Sequence, residues 1–293
     1  MIFIIVFLIK WNKMKKIKIK SYNPTLKIKK PKAIVLSGYG LNCEEETKFA
    51  FEYAGGKADI IHINELIARP KILFDYDIMA FPGGFSFGDD TGSGKAYANK
   101  MRNHLSKELE EFLSRDTLVI GICNGFQILT SLGILPGALT YNKNAKYIDR
   151  WVDLKVIGRS PWLTGIKNIS LPIAHGEGRY IIDNGKYKKM SAKGRSTSGG
   201  KNSNQVAFIY TKGDICKYQN LEKNPNGAMH DIGGVLGYNG RVLGMMPHPE
   251  RAMFYHHSPL WPQTKASLVR GKQIKKEGVG LQIFKNAINY FKK

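Results

Sequence analysis

Cysteine is scarce in this chain of 293 residues: Cys43, Cys123 and Cys216 are widely separated and odd in number. That excludes a disulfide framework, offers no zinc-ligand spacing, and fits a reducing compartment. Long apolar runs are also missing. The N-terminal run Met1 to Ile9 falls far short of the roughly 20 residues that cross a bilayer. It has no basic residue before it and no small-residue cleavage site after it, so it makes a poor signal peptide. Met14 follows closely, and a start assigned too far upstream accounts for the run. No other segment spans a membrane, so a cytoplasmic protein without a membrane partner is expected.

Acidic residues are few as well. Asp and Glu number 23 against 45 Lys and Arg, giving a formal net charge of +22. Such an excess suits an anionic partner. Much of the lysine, however, lies in the first thirty-odd residues, between Lys186 and Lys201, and from Lys265 to the end. None of these stretches carries a zinc finger, an aromatic RNA-binding strand or a helix-turn-helix pattern. A lysine-rich composition with solvated ends is the better reading, with no nucleic-acid partner. Hydrophobic content of 43% suffices for a packed core.

The pattern from Lys32 onward alternates strands and helices. Ala33 to Ser37 reads as a buried strand, Glu44 to Tyr53 as a helix, Ala58 to Ile63 and Tyr76 to Phe81 as strands, Ala96 to Ser114 as a helix, and Leu118 to Ile122 as a strand. This spacing indicates a doubly wound, mostly parallel α/β sheet with helices on both faces. In such sheets ligands bind beyond the carboxyl ends of the strands. Antiparallel strands are expected in the second half: Trp151 to Ile157, Asn168 to Ile173, Gln205 to Tyr210, Gly233 to Tyr238 and Arg241 to Met246. Helical periodicity returns only at Leu281 to Phe291. Residues 1–31 read as a basic, poorly ordered extension and 32–293 as one domain, with 193–204 and 255–277 as inserted loops, the latter a surface loop or docking element.

The sharpest feature is Gly121-Ile-Cys-Asn-Gly125, between an apolar strand and an apolar helical run. This is the cysteine counterpart of a nucleophile elbow, where flanking glycines relieve a tight turn. A helix N-terminus favours the thiolate. A buried core cysteine beside chance glycines is the plainer alternative. A thiolate nucleophile needs a base and an orienting group, and Pro247-His-Pro-Glu250 supplies His248 and Glu250 on a stiff loop. The glycine-rich Pro82 to Asp89 segment suits an oxyanion site better than a phosphate site, because no Gly-Lys-Ser/Thr sequence occurs there. Gly84 and Phe85 are candidate donors together with the Asn124 N–H. Cys43 lacks flanking glycines and stands beside Glu44, Glu45 and Glu46, which would raise a thiol pKa; it reads as non-catalytic.

Gly121-Ile-Cys-Asn-Gly-Phe-Gln127 with Pro247-His-Pro-Glu250 resembles the class I (triad) glutamine amidotransferases, a flavodoxin-like family. Pro82-Gly-Gly-Phe-Ser-Phe-Gly-Asp89, Ala174-His-Gly-Glu-Gly178, Gln205 to Tyr210, Asn226-Gly227 with Asp231 to Gly234, and Gly244 to Arg251 resemble, more narrowly, the glutaminase subunits of phosphoribosylformylglycinamidine synthase. The resemblance implies that Cys123 attacks L-glutamine to form a γ-glutamyl thioester, that His248 transfers protons, and that Glu250 orients it. It implies substrate contacts for Gln127 and places the loop of His175 and Glu177 at the glutamine site or a partner face. It further implies ammonia delivery to a large synthetase subunit, with or without a small bridging subunit. No cofactor or metal is expected in this chain; ATP and Mg are expected in the synthetase. After Asp89 the chain reads Asp90-Thr-Gly-Ser-Gly94 where many relatives carry an aromatic and an arginine, which marks contacts there as different.

Two other functions compete. A free-standing cysteine hydrolase of the same fold would turn over without assistance. A basic nucleic-acid-binding protein would bind with steep salt dependence and ignore Cys123.

Overall fold

The computed structural model describes residues 30–90, 92–191, 194–195, 201–202, 204–268 and 276–292. The expected N-terminal extension lies outside them except for its last two residues, as do most of the lysine-rich 193–204 stretch and residues 269–275 of the expected 255–277 loop.

The first half follows the apolar periodicity closely. Strands β1 (Lys32–Ser37), β2 (Lys57–His62), β3 (Ile78–Phe81) and β4 (Leu118–Ile122) lie in parallel in the order β2-β1-β3-β4. The last five residues of β1 and all of β3 and β4 are buried, as expected of strands covered on both faces. Helix α1 (Glu44–Tyr53) joins β1 to β2. Helices α2 (Ile63–Ala68) and α3 (Lys95–Ser114) follow β2 and β3. The chain steps outward from β1 to β2 and then inward past β1 to β3. Right-handed crossovers therefore set α1 on one face and α2 and α3 on the other. Along α3 the buried residues Tyr97, Met101, Leu105, Leu109 and Phe112 recur at helical spacing. Helix α4 (Asn124–Ser131) follows β4 and packs on α3.

The second half is antiparallel. Strands β6 (Ile148–Val156), β7 (Asn168–His175), β11 (Val206–Thr211), β12 (Ile232–Gly237) and β13 (Val242–Met245) extend the sheet to nine strands, ordered β2-β1-β3-β4-β13-β12-β11-β6-β7. Only β13 runs parallel to its neighbour β4; beyond it every pairing is antiparallel. Short strands β5 (Ala138–Thr140) and β8 (Arg179–Ile181) pair separately, as do the two-residue strands β9 (Gly194–Arg195) and β10 (Lys201–Asn202).

Helices α5 (Asn184–Ser191), α6 (Asp214–Tyr218) and α7 (Trp261–Leu268) also occur in this half, where periodicity suggested none before the C-terminus. Weak amphipathicity hid them. Asp153, buried on β6, accepts the backbone N–H of Ile215 and Cys216 and so fixes α6 by a long-range contact. The C-terminal α8 (Leu281–Tyr290) buries Leu281, Ile283, Phe284, Ala287 and Ile288 and packs against α1, with the Phe51 and Phe284 rings edge to face at 5.0 Å.

Candidate active site

The carboxyl ends of β1, β3, β4 and β13 are adjacent, and each leads into a turn carrying a residue singled out above. After β4, Cys123 takes φ 50° and ψ −105°, a conformation costing about 1–3 kcal/mol that persists only where its surroundings enforce it. They do so here. The Cys123 N–H donates to Met245 O at 2.8 Å, continuing the β4–β13 ladder by one residue. A Cβ on Gly125 would sit 1.9 Å from Phe81 O, and one on Gly121 would sit 2.6 Å from Gly125 O. Only glycine fits at either position, so the elbow is closed against β3. The sulfur stands at the N-terminus of α4 and lies 3.7 Å from Ala174 O.

His248 arrives from β13, three residues beyond the Met245 that pairs with the elbow. Its N–H donates to Pro172 O at 2.8 Å. Strand β7, at the far edge of the sheet, therefore curls back over the parallel half. His248 and Glu250 are both buried, and the imidazole Nδ1 meets Glu250 Oε1 at 2.5 Å. Burial opposes the imidazolium, but the Glu250 carboxylate and the neighbouring Cys123 and Cys43 sulfurs outweigh it and hold the His248 pKa well above its ordinary value. The Nε2 atom is buried with no hydrogen-bond partner among the described residues.

The oxyanion candidates divide. The Asn124 N–H opens α4 and is among the donors a helix leaves without an internal acceptor. Gly84 has φ 146°, and a Cβ there would sit 2.4 Å from Gly40 O, so it too must be glycine. The Phe85 N–H does not serve as expected: it donates to Gly40 O at 2.8 Å in a bridge between the β1 and β3 turns. Its ring instead lies 6.2 Å from that of Tyr147. Tyr147 is held above the usual phenol range first by burial and then by the charge of Cys123. The Asn124 side chain accepts the Ser86 N–H at 3.2 Å and donates to Gln127 Oε1 at 2.7 Å and to Asp89 Oδ1 at 3.3 Å. It staples the glycine-rich loop to the elbow.

Gln127, expected at the substrate, spends its amide on the protein: Oε1 accepts from Asn124, and Nε2 donates to Glu177 O at 2.7 Å. It nevertheless lines a cavity of about 430 Å³ together with Ser93, Lys95, Thr130, Tyr141 and Glu177. His175 and Glu177 do not form a second base–carboxylate pair. His175 Nδ1 meets Asn142 Oδ1 at 3.1 Å, while Glu177 Oε2 accepts the Ser93 N–H at 3.4 Å. Burial and then the His248 charge push the His175 pKa down to about 3. It is a neutral imidazole at neutral pH, and its buried Nε2 has no hydrogen-bond partner among the described residues.

Residues assigned no role from sequence alone complete the site. Asn142 donates to His175 O and Lys146 O, both at 2.8 Å, which orients its oxygen toward His175. Cys43 and Arg251 touch each other, with Arg251 Nη2 3.0 Å from the sulfur. A thiol, an imidazole and a carboxylate from Cys43, His248 and Glu250 lie within 4.8 Å of one another. The guanidinium already on that sulfur opposes a second cation there.

Comparison with known proteins agrees with this geometry. A family model described as a CobB/CobQ-like glutamine amidotransferase domain matches residues 30–291. The chain is 44% identical over 278 residues to a protein of Methanococcus maripaludis (strain C5) called phosphoribosylformylglycinamidine synthase subunit PurQ, covering 90% of this chain and 99% of the relative. The Dehalococcoides mccartyi protein of the same name is 38% identical, covering 89% and 98%. Among solved structures, one described as PurLQS from Thermotoga maritima contains a chain that superposes with a TM-score of 0.63 at 31% identity, over 89% of this chain and 99% of that one. On the family match and on relatives aligned over almost their whole length, the chain belongs to the glutamine amidotransferase family, in its group of phosphoribosylformylglycinamidine synthase PurQ subunits.

Proposed function

We propose that this chain is the glutaminase subunit of a phosphoribosylformylglycinamidine synthase. It hydrolyses L-glutamine to glutamate and ammonia and passes the ammonia to a synthetase subunit, which converts formylglycinamide ribonucleotide to formylglycinamidine ribonucleotide in purine biosynthesis. The observation that carries the chemistry is a strained Cys123 at a helix start, laddered to the strand that delivers a buried His248–Glu250 pair.

In this reading the Cys123 proton already rests on His248 as an imidazolium–thiolate pair, and the thiolate attacks the glutamine carboxamide. Negative charge on the carboxamide oxygen is met by the Asn124 and Gly84 N–H groups. His248 then protonates the departing ammonia, leaving the γ-glutamyl thioester, and next takes a proton from the water that releases glutamate. Glu250 keeps Nδ1 protonated, so that Nε2 is the atom that exchanges protons with sulfur, ammonia and water. The cavity between Gln127 and Glu177 is large enough for an amino acid.

No cofactor or metal enters this step; ATP and Mg belong to the synthetase. The PurLQS structure of the relative supports a partnership with a large subunit and a small third one. Among the described residues no helix is long and apolar enough to cross a membrane, and we assign the protein to the cytoplasm.

The test is glutaminase activity of the chain alone and with the synthetase purified from the same host. Expected are low turnover alone, marked stimulation by the partner, and loss of both with Cys123→Ala. High unassisted turnover would favour a free-standing hydrolase and overturn the assignment.

A further inference from the structure

We propose that Cys43 is a positioning residue for His248: its sulfur holds the Arg251 guanidinium away from Glu250, so that the carboxylate stays committed to the imidazole. The inference rests on the catalytic reading of Cys123, His248 and Glu250, and it assigns two residues that reading leaves idle.

Three observations carry it. Arg251 Nη2 donates to Cys43 Sγ at 3.0 Å, and Cys43 is buried. The sulfur and the imidazole press on the same spot: a Cβ on Gly83 would lie 3.1 Å from Cys43 Sγ and 2.7 Å from His248 Cε1. Glu250 uses one oxygen on His248, while its Oε2 is buried without a partner among the described residues.

A buried carboxylate oxygen lacking a donor is costly, and a guanidinium within reach is the natural remedy. Arg251 is the next residue in the chain and feels the Glu250 charge, yet it is turned to the sulfur. Cys43 is itself fixed, its N–H on Gly83 O at 3.2 Å and its carbonyl holding the Thr47 hydroxyl at 2.6 Å. Were that acceptor removed, Arg251 could pair with Glu250 Oε2 and draw negative charge off the imidazole. The other groups acting on this cluster stay in place: Cys123 from the elbow, His175 from β7, Tyr147 beside β6, and Glu46 from α1.

The experiment uses the complex with its synthetase and two readouts. One is glutamine turnover. The other is the pH dependence of Cys123 alkylation by iodoacetamide, located by peptide mapping, which needs no substrate. Cys43→Ala is expected to lower kcat about tenfold with little change in KM. It is also expected to move the His248 limb of the alkylation profile roughly one unit toward lower pH. Cys43→Ser keeps an acceptor for Arg251 and should recover most of both. The pair Cys43→Ala/Arg251→Met has no guanidinium to capture Glu250 and should regain the wild-type profile.

An unchanged profile in Cys43→Ala, a serine variant no better than alanine, or a double variant as impaired as the single one would each overturn the proposal. If Cys43→Ala alone does not fold, the double variant compared with Arg251→Met decides, because in that background the cysteine should no longer matter. A wild-type complex that fails to turn over glutamine while the alkylation series behaves as expected would refute the function and leave this inference standing.

Discussion

Two imidazoles share the carboxyl end of the sheet and are held in opposite charge states. His248 keeps its proton because Glu250 and two sulfurs outweigh burial. His175 refuses one because it is buried against an amide and beside that charge. The second has a consequence for stability. Its folded pKa of about 3 lies below the roughly 6.5 of an unfolded histidine. As pH falls below that value, the unfolded chain takes up a proton the folded one declines. Stability is therefore lost progressively from about pH 6.5 downward, by at most about 1.4 kcal/mol per unit, and the loss is complete near the folded value. His175→Asn retains a donor for Asn142 without the titration. Thermal midpoints measured from pH 7 to pH 4.5 should fall less steeply for this variant than for the wild type; parallel curves would show that His175 is not the residue responsible.

At the scale of elements, the elbow is held by contact between backbones. Gly125 lies so close to Phe81 O that an added methyl has nowhere to go, and backbone cannot rotate away as a side chain can. Gly125→Ala should cost about 3 kcal/mol or more, because β3 and β4 would have to separate. The denaturation midpoint of the isolated chain reads this directly, and a shift worth less than about 1 kcal/mol would mean that the turn adapts. The same contacts explain what could be read in the sequence. Strands β1 to β4, helices α1 and α3, and the Cys123, His248 and Glu250 positions each announce themselves locally, through apolar runs, glycines or a stiff Pro-His-Pro loop. The use of the Phe85 N–H by Gly40, the partners of Gln127, and the roles of Asn142 and Arg251 depend on loops from different strands meeting. Nothing within ten residues of Asn142 states that β7 curls back over the site. Helix α6 was invisible for the same reason, since the carboxylate that fixes its start is Asp153, more than sixty residues away.

Taken whole, the molecule is a parallel half that carries the Cys123 elbow and an antiparallel half whose edge strand returns to cover it, and the full sequence has a formal excess of 22 positive charges. Among the described residues Lys32, Arg69, Lys223 and Lys285 pair with carboxylates, and such surface pairs are worth about 1 kcal/mol or less. The net excess forms a field that fades over about 10 Å at 0.1 M salt. A field of this kind changes how often partners meet more than how long they stay together. If the synthetase presents an acidic face, its association rate with this chain should fall about tenfold between 0.05 and 0.3 M NaCl while the dissociation rate stays within about twofold. Stopped-flow association of the two purified subunits measures both. An association rate indifferent to salt would mean that the lysines only solvate the surface. A salt-sensitive association with duplex DNA that matched or exceeded that with the synthetase would instead turn the charge toward a nucleic acid.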